Sequence, residues 1–336
     1  MTDSMPRNRR TAAFERRVAR ALDAATVGPA GGPLVVACSG GPDSTAALVA
    51  VARAASRVER PVVATCFDHR LRPRVETEAD AAFVRELAAC LEIDFRSGAA
   101  RGRPQPSEAG AREARYRWLA RTAKEVGATE VVTGHTLDDQ AETVLLRLVR
   151  GAGLRGLAGM TIRAAWPVRG GSGLSVLRPL LDVSRADVEA YLNTVGLQAR
   201  HDASNEDLGY ARNRLRQRVL PELRHLNPRA VEAITRAALA AGRDDAALEA
   251  WARAEAARLV KPDGRRGLTI DRAELRVLPP AVALRLLRGV ADRLGVRVDA
   301  AHLDAMWAAS SRRGRHVTLS GAEFLVETDV GRLRRI

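Results

Sequence analysis

The sequence predicts an α/β protein: a parallel β-sheet with helices on both faces, followed by a mostly helical C-terminal domain. In the first half, short β-branched runs alternate with alanine-rich helical stretches, an order typical of parallel sheets. From about residue 221, helical segments rich in alanine and arginine dominate. We therefore expect a basic N-terminal segment (1–30), an α/β domain (31–220) and a C-terminal domain (221–336).

The α/β domain begins with a buried apolar strand that runs into a glycine-rich turn. The elements predicted in it are a strand (33–38), a helix (44–53), a strand (61–69), a helix (78–90), a strand (92–97), a Gly/Pro-rich loop (98–110), a helix capped by Ser107 and ending near 126, and a strand (130–135). In such sheets ligands bind at the carboxyl ends of the strands. The polar motifs of this chain follow those strand ends.

The C-terminal region differs in amino-acid composition from the first half and contains no internal repeat. Its predicted elements are helices over 231–260, 281–294 and 301–309 and short strands within 316–321 and 322–336. The change in composition near residue 221 predicts a separate domain.

Charge and cysteine usage narrow the class of protein. Lys plus Arg number 54 against 40 Asp plus Glu, a formal net charge of +14. A polyanion such as nucleic acid is the natural partner of such an excess, although a GC-rich genome alone explains why arginine replaces lysine. The three cysteines, Cys38, Cys66 and Cys90, form no CxxC pair. Their spacing argues against a disulfide framework and against zinc, and it favours a reducing cytoplasm.

The chain has no apolar run of about 18 residues, the minimum expected of a membrane-spanning helix. Its first ten residues are basic and lack the apolar core of a secretory signal. We therefore expect a cytoplasmic enzyme or binding protein and not a membrane protein.

A phosphate-binding loop follows the first strand. Two glycines allow a tight turn, and the next helix directs the positive end of its dipole at an anion. No lysine closes the loop, so it differs from the GxxxxGK[ST] pattern and suits a departing pyrophosphate. The expected nucleotide-binding residues are Ser39, Gly40, Gly41, Pro42, Asp43 and Ser44. Asp43 is unusual in an anion site and suggests Mg²⁺ carried by the phosphates; the alternative is an ordinary helix cap.

Acidic residues follow the fourth strand. Asp138, Asp139 and Glu142 share one helical surface just after His135. Clustered carboxylates suit a cationic amine, Mg²⁺, or a base that deprotonates the amine before it attacks. The alternative is that acids in the first turn simply favour the helix dipole, which explains the two aspartates better than it explains His135 and Glu142.

Arginines supply candidate anion-binding groups. Arg112 and Arg115 lie three apart on one helix and share a face, where they can bind a phosphate or the charge that develops on an adenylate. A solvated basic face is the alternative. In the helix that starts at Tyr210, Arg212 lies on the apolar side, whereas Arg214 and Arg218 point elsewhere. A charge on a packed side needs a partner, so Arg212 is a candidate site residue.

Several spaced sequence blocks resemble those of the tRNA(Ile)-lysidine synthetases, a family of PP-loop ATP pyrophosphatases with an adenine nucleotide α-hydrolase-like fold. The blocks are SGGPDS (39–44), DHRLRP (68–73), AREARY (111–116), TGHTLDDQAET (133–143), RGAGLRGL (150–157), RPLL (178–181), HDASN (201–205) and RNRLR (212–216). The resemblance covers roughly residues 33–227. Three positions depart from the family pattern: Arg70 replaces glycine, Thr136 a second histidine and Ala203 a proline.

The resemblance implies a two-step reaction that uses ATP and Mg²⁺. ATP adenylates the 2-carbonyl oxygen of the wobble cytidine of a tRNA(Ile) with a CAU anticodon, and the ε-amine of L-lysine then displaces AMP. It implies catalytic roles for His135, Asp139, Glu142, Arg112 and Arg212, metal contacts from Asp43 and Asp139, and tRNA binding by the C-terminal domain. It leaves a homodimer open.

Two other classes of protein share part of this pattern. A tRNA-thiolating enzyme shares the ATP loop but typically carries CxxC cysteines for sulfur transfer or an iron–sulfur cluster. A non-catalytic RNA-binding protein with an inactive nucleotide fold would leave Asp43 and the acidic residues after His135 unexplained. Release of AMP with tRNA and lysine separates the three.

Overall fold

The computed structural model describes residues 5–25, 32–102, 107–200, 207–264 and 267–336. The HDASN block (201–205) and part of the Gly/Pro-rich loop therefore lie outside the described residues. The chain forms two compact units, Met1–Ala238 and Leu239–Ile336.

The first unit is built on a six-stranded sheet with the strand order β3-β2-β1-β4-β6-β5. Its strands are β1 (Leu34–Ala37), β2 (Val62–Asp68), β3 (Asp94–Ala99), β4 (Glu130–Thr133), β5 (Arg163–Ala165) and β6 (Ser175–Leu177). All neighbouring strands pair parallel except β5, which runs antiparallel to β6. The predicted parallel α/β fold is confirmed, and the end strand β5 is an addition to it.

Helices cover both faces of this sheet. Up to residue 226, the described helices are α1 (Arg9–Ala25), α2 (Pro42–Ser56), α3 (Arg74–Cys90), α4 (Glu108–Glu125), α5 (Leu137–Val149), α6 (Leu154–Leu157), α7 (Arg185–Val195), α8 (Ala211–Arg214), a π-helix (Leu215–Val219) and α9 (Leu220–Leu226). Leu34 and Val36 of β1 pack into the core that contains α2, whereas Val35 packs with α4 residues on the other face. Side chains alternate along a strand, so one apolar run serves both layers.

Helix boundaries follow local chemistry. Helix α2 begins at Pro42, two residues earlier than expected, because proline suits the first helical position. The Ser107 side chain accepts a hydrogen bond from the Gly110 N–H at 3.1 Å and caps α4, as predicted.

The basic N-terminal segment contains helix α1, whose arginine-rich composition hides an apolar face. Phe14 stacks on Tyr191 of α7 with ring centroids 4.2 Å apart. Glu15 is fully buried and accepts a hydrogen bond from Arg53 of α2 at 2.6 Å. A buried carboxylate is stable only when it is paired, so Glu15 ties α1 to the helix that follows the phosphate-binding loop.

The second unit combines helices with an antiparallel sheet of order β7-β8-β11-β10-β9. Helix α10 (Ala230–Leu259) contains the boundary between the two units. The elements that follow it are β7 (Val260–Asp263), β8 (Gly267–Asp271), α11 (Arg272–Val277), α12 (Pro280–Arg293), α13 (Ala300–Ala309), β9 (His316–Leu319), β10 (Ala322–Val326) and β11 (Val330–Arg335). The predicted helices are present. Strands β7 and β8 were not expected. Over the part of the chain that is described, no helix is both long and apolar enough to cross a membrane.

Candidate active site

The phosphate-binding loop connects β1 to α2 at the carboxyl edge of the sheet. Gly40 has a φ of +87°, a left-handed conformation that favours glycine. The Ser44 hydroxyl accepts from the Ser39 N–H at 3.1 Å and donates to the Gly41 carbonyl at 3.0 Å. These bonds hold the loop in a closed turn above the start of α2, the geometry expected of an anion-binding site.

A close approach between strand ends positions Asp43. Gly134, just after β4, lies so near the loop that an added Cβ would be 2.7 Å from the carbonyl oxygen of Asp43. Glycine is therefore required in the TGH sequence by contact with the neighbouring loop. The approach brings the residues after β4 beside the phosphate-binding loop.

Asp43 is a partly buried carboxylate with one oxygen unsatisfied. Its Oδ2 lies 3.4 Å from Nη2 of Arg185, the first residue of α7. Its Oδ1 is buried and has no hydrogen-bond partner among the described residues. Burial raises the pKa of Asp43 to about 6, although Arg185 opposes the shift. An unsatisfied buried oxygen beside an anion site suits a bound cation.

One carboxylate oxygen of Asp139 caps helix α5, and the other lies near Arg216 and Arg185. Its Oδ2 accepts from the Thr136 N–H at 3.0 Å, and the Asp139 N–H donates to the Thr136 hydroxyl at 3.4 Å, forming a capping box at the start of α5. Threonine at position 136 is thus explained locally. Oδ1 of Asp139 lies 3.3 Å from Arg216 and 3.6 Å from Arg185. Burial would raise the pKa of Asp139, but His135, Arg185, the Thr136 N–H and Arg216 together hold it below the usual value.

We call Asp43, Asp139 and Glu142 the acidic group, and Glu142 lies at its centre. Its side chain is fully buried, and its oxygens accept from Nε and Nη2 of Arg216 at 2.7 and 3.1 Å. Arg212 lies 3.4 Å and Arg185 3.9 Å away. Burial raises the pKa of Glu142, against the pull of Arg216. Asp139 and Glu142 therefore differ: one is held ionised and the other is brought closer to protonation at neutral pH.

Arg185 and Arg216 were missed in the sequence, whereas Arg212 was selected. Arg216 stands four residues after Arg212 and so shares its helical face, a signal that was available. It belongs to the π-helix between α8 and α9, a rare conformation often found at functional sites. Arg185 gives no local signal, because it meets Asp43 only through a contact 142 residues apart.

Asp138 points away from this group. Its Oδ2 accepts from the backbone N–H of Arg185 at 2.8 Å, and its Oδ1 accepts from Arg224 at 2.7 Å. It therefore fixes the start of α7 and holds α9, a structural role.

A second group of cations lies beside His135. We call Arg112, Arg115 and Arg178 the arginine cluster; all three surround the buried Tyr116. The guanidinium carbons of Arg112 and Arg115 lie 4.8 and 5.5 Å from the Tyr116 ring centroid. Arg178, 6% exposed, directly follows β6 and donates to the Thr161 carbonyl at 2.9 Å. Two strongly polar neighbourhoods, one acidic and one basic, therefore meet at the carboxyl edge.

His135 lies between the acidic group and the arginine cluster. Burial lowers its pKa to about 3; Asp139 opposes this shift, and Arg178, Arg115 and Arg112 add to it. Its Nδ1 lies 2.8 Å from the Thr133 hydroxyl. With a pKa of about 3, the imidazole carries no charge near pH 7 and is available for hydrogen bonding.

The structure thus brings Asp43, Asp139, Glu142 and Arg212 together and places His135 and Arg112 next to them, at the arginine cluster.

Arg70, a departure from the family pattern, has a left-handed φ of +57° and donates its N–H to Asp68 at 2.6 Å. The backbone geometry that a glycine provides is retained there at some strain. The described residues contain no cluster of three His, Cys, Asp or Glu side chains able to hold a metal.

Comparison with known proteins places this site in context. The PP-loop domain family matches residues 11–223. The chain is 43% identical over 307 residues to the tRNA(Ile)-lysidine synthase of Salinispora arenicola, covering 88% of this chain and 87% of that protein. It is 40% identical over 304 residues to that of Thermobifida fusca, covering 88% and 89%. Among solved structures, a U34-tRNA thiolase of Methanococcus maripaludis has a similar fold, with a TM-score of 0.55 at 15% identity over 68% of this chain and 78% of that one.

Proposed function

The chain belongs to the tRNA(Ile)-lysidine synthase family of PP-loop proteins, and we propose that it joins L-lysine to the wobble cytidine of a tRNA(Ile) with a CAU anticodon, at the expense of ATP. The observation that carries the proposal is the meeting of the phosphate-binding loop with the carboxylates Asp139 and Glu142 at one edge of the sheet. A pyrophosphate site and an amine-binding site must adjoin in such a reaction.

In the first step, the 2-carbonyl oxygen of the cytidine attacks the α-phosphorus of ATP. The bond between the α-phosphorus and the bridging oxygen breaks, and pyrophosphate leaves. The loop from Ser39 to Ser44 holds the departing pyrophosphate through backbone N–H groups, hydroxyls and the start of α2. Arg112 provides positive charge for an anionic substrate group near His135.

Asp43 is the residue best suited to Mg²⁺. Its buried Oδ1, unsatisfied among the described residues, fits a cation carried on the phosphates. Asp139 is a second expected contact through Oδ1. When bound, the metal ion supplies charge that neutralises the phosphate oxygens and eases departure of pyrophosphate.

In the second step, the lysine ε-amine attacks C2 of the cytidine, and the bond from C2 to the adenylated oxygen breaks to release AMP. The amine reaches the site as an ammonium and must lose a proton before it attacks. Glu142 takes that proton, since burial raises its pKa. Asp139 stays ionised and attracts the ammonium, while Arg212 and Arg216 hold Glu142 in position. His135 orients the substrate by hydrogen bonding.

The C-terminal region contributes contacts to the tRNA backbone. The net charge of +14 favours phosphate contacts that position the tRNA without reading bases. Exposed arginines Arg312, Arg313 and Arg315 lie on one turn of the second unit. The free cysteines Cys38, Cys66 and Cys90 agree with a reducing cytoplasm.

A half-reaction experiment tests this function. With ATP and a tRNA(Ile) transcript but no lysine, the enzyme should release pyrophosphate and leave labelled AMP attached to the tRNA. Lysine should then liberate that AMP. Pyrophosphate release that requires a sulfur donor would point to thiolation, and tRNA binding without any ATP turnover would point to a non-catalytic RNA-binding protein.

A further inference from the structure

Among the residues that the structure describes, the positive charge of the arginine cluster of Arg112, Arg115 and Arg178 has no carboxylate partner. Over the described residues, no carboxylate forms an ion pair with any of the three. Their polar contacts are to Tyr116 and to the Thr161 carbonyl. By contrast, Arg185 and Arg216 are each paired with acidic side chains. Within the described part of the chain, the cluster is therefore the cationic part of the site without an ion-pair partner.

Two guanidinium groups in the cluster also have unsatisfied donors. The Nε atoms of Arg115 and Arg178 are buried and have no hydrogen-bond partner among the described residues. Burial lowers the pKa of both groups, and the nearby Arg112 adds to that effect. Buried donors of like charge are costly unless an acceptor satisfies them. An anionic oxygen group bound between them would supply both the charge and the acceptors.

The position of the cluster limits which anion can reach it. The phosphate-binding loop leads into α2, on one face of the sheet, whereas the cluster lies where α4, on the other face, meets the end of β6. Arg178 is only 6% exposed, so a polymer phosphate on the surface is a poor fit. Arg112 and Arg115 are half-buried, so the end of a small substrate can reach the cluster from their side.

The acidic group next to the cluster identifies that substrate by its charge pattern. A lysine molecule carries ammonium groups and one carboxylate. Its binding site must therefore provide carboxylates for the ε-ammonium group and, at a second place, guanidinium groups for the α-carboxylate. Asp139 and the cluster both act on His135, so the two charged regions adjoin. A planar carboxylate also matches the fork of donors on an arginine.

We propose that Arg115 and Arg178, with Arg112 beside them, bind the α-carboxylate of the free amino acid, and that this contact makes the enzyme select lysine over simple diamines. The inference rests on the proposed function, since it assigns one end of the lysine substrate. Arg178 becomes a specificity residue, supplied by the RPLL block after β6.

The wild-type enzyme provides the first test. Preformed adenylated tRNA is mixed with lysine, with lysinamide, which lacks the negative charge, or with cadaverine, which lacks the whole carboxylate. Removing a hydrogen-bonded charge from a buried site typically lowers affinity by about ten- to hundredfold. We expect kcat/KM for both analogues to be lower than for lysine by about that factor. Equal use of lysine and cadaverine would overturn the proposal.

Variants then locate the effect. Arg178→Gln and, independently, Arg115→Gln should lower kcat/KM for lysine by about ten- to hundredfold and leave cadaverine changed by less than about threefold. Pyrophosphate release in the absence of lysine should persist, which also shows that each variant is folded. Arg169→Gln, an exposed arginine in the loop between β5 and β6, is the matched control and should alter neither amine.

Other outcomes have defined meanings. An equal loss with lysine and cadaverine, or a loss confined to pyrophosphate release, would assign the cluster to a nucleotide phosphate and overturn the proposal. If wild-type protein fails to adenylate tRNA, the proposed function is wrong. Equilibrium dialysis with labelled lysine then tests the carboxylate site separately. The assignment of that site stands only if the wild type binds lysine and Arg178→Gln binds it at least about tenfold more weakly.

Discussion

Replacing Asp43 by asparagine should stabilise the ligand-free protein while abolishing its activity. Asparagine has nearly the same shape as the carboxylate but carries no charge. The fold holds the Asp43 carboxylate where burial raises its pKa from 3.8 to about 6, even with Arg185 beside it. The ionised form is therefore disfavoured in the folded state, and removal of the charge should relieve that penalty.

The size and sign of the effect follow from linkage. A change in pKa from 3.8 to about 6 corresponds to about 3 kcal/mol against the ionised carboxylate at pH 8. Because the folded state holds the proton more tightly than the unfolded state, wild-type stability gains this free energy as pH falls from above 6 towards 4. The benefit of Asp43→Asn is therefore greatest at pH 8 and vanishes below about pH 4. Arg185 keeps other partners in Asp139 and Glu142.

Denaturant unfolding of wild type and Asp43→Asn at pH 8 and pH 4 measures this difference without ligands. Adenylation of tRNA should be lost in the variant, and the wild-type kcat/KM for ATP, which reports the free enzyme, should fall as the pH drops through about 6. Asp94→Asn, an exposed site at the start of β3, is the matched control and should show no gain at pH 8. A variant less stable than wild type at pH 8 would refute the electrostatic reasoning.

Three further predictions concern other parts of the molecule. Glu142→Gln should slow AMP release by lysine at least about a hundredfold with little change in tRNA affinity; an equal loss of affinity in a gel-shift titration would assign Glu142 a structural role. Gly134→Ala places a Cβ 2.7 Å from the Asp43 carbonyl and should raise the KM for ATP at least about tenfold; an unchanged KM would show that the loop tolerates displacement. Replacing Arg312, Arg313 and Arg315 by glutamine should weaken tRNA binding and lower its log–log salt slope by up to about one per lost contact; an unchanged slope would place the phosphate contacts elsewhere.

The parts of the fold set by local chemistry could be predicted from the sequence. The apolar run before Ser39 and the glycines after it determine the strand, turn and helix of the phosphate-binding loop, and Ser107 caps α4 by its own hydroxyl. The acidic residues after His135 lie on one helix, but the prediction that Asp138 shares the surface of Asp139 and Glu142 is wrong. The roles of the individual carboxylate oxygens could not be predicted. Asp139 caps α5 with one oxygen, whereas Asp138 binds the backbone N–H of Arg185, a residue 47 positions away.

The remaining features depend on tertiary contacts that a single sequence does not reveal. Helix α1 is held by the buried pair of Glu15 and Arg53, and its basic composition resembles that of an exposed tail. Arg185 acquires its role only when α7 meets the phosphate-binding loop. Strands β7 and β8 are short, and β8 is completed by pairing with β11, about 60 residues later, while β7 pairs with β8.

The most direct test of the central claim is the chemical identity of the product. A tRNA(Ile) transcript with a CAU anticodon is incubated with the enzyme, ATP, Mg²⁺ and labelled lysine, and its nucleosides are analysed by mass spectrometry. The account predicts one lysine per tRNA, released AMP in equal amount, and a wobble cytidine heavier by one lysine less one water. AMP release without lysine in the tRNA, or lysine attached to any other nucleotide, would contradict it.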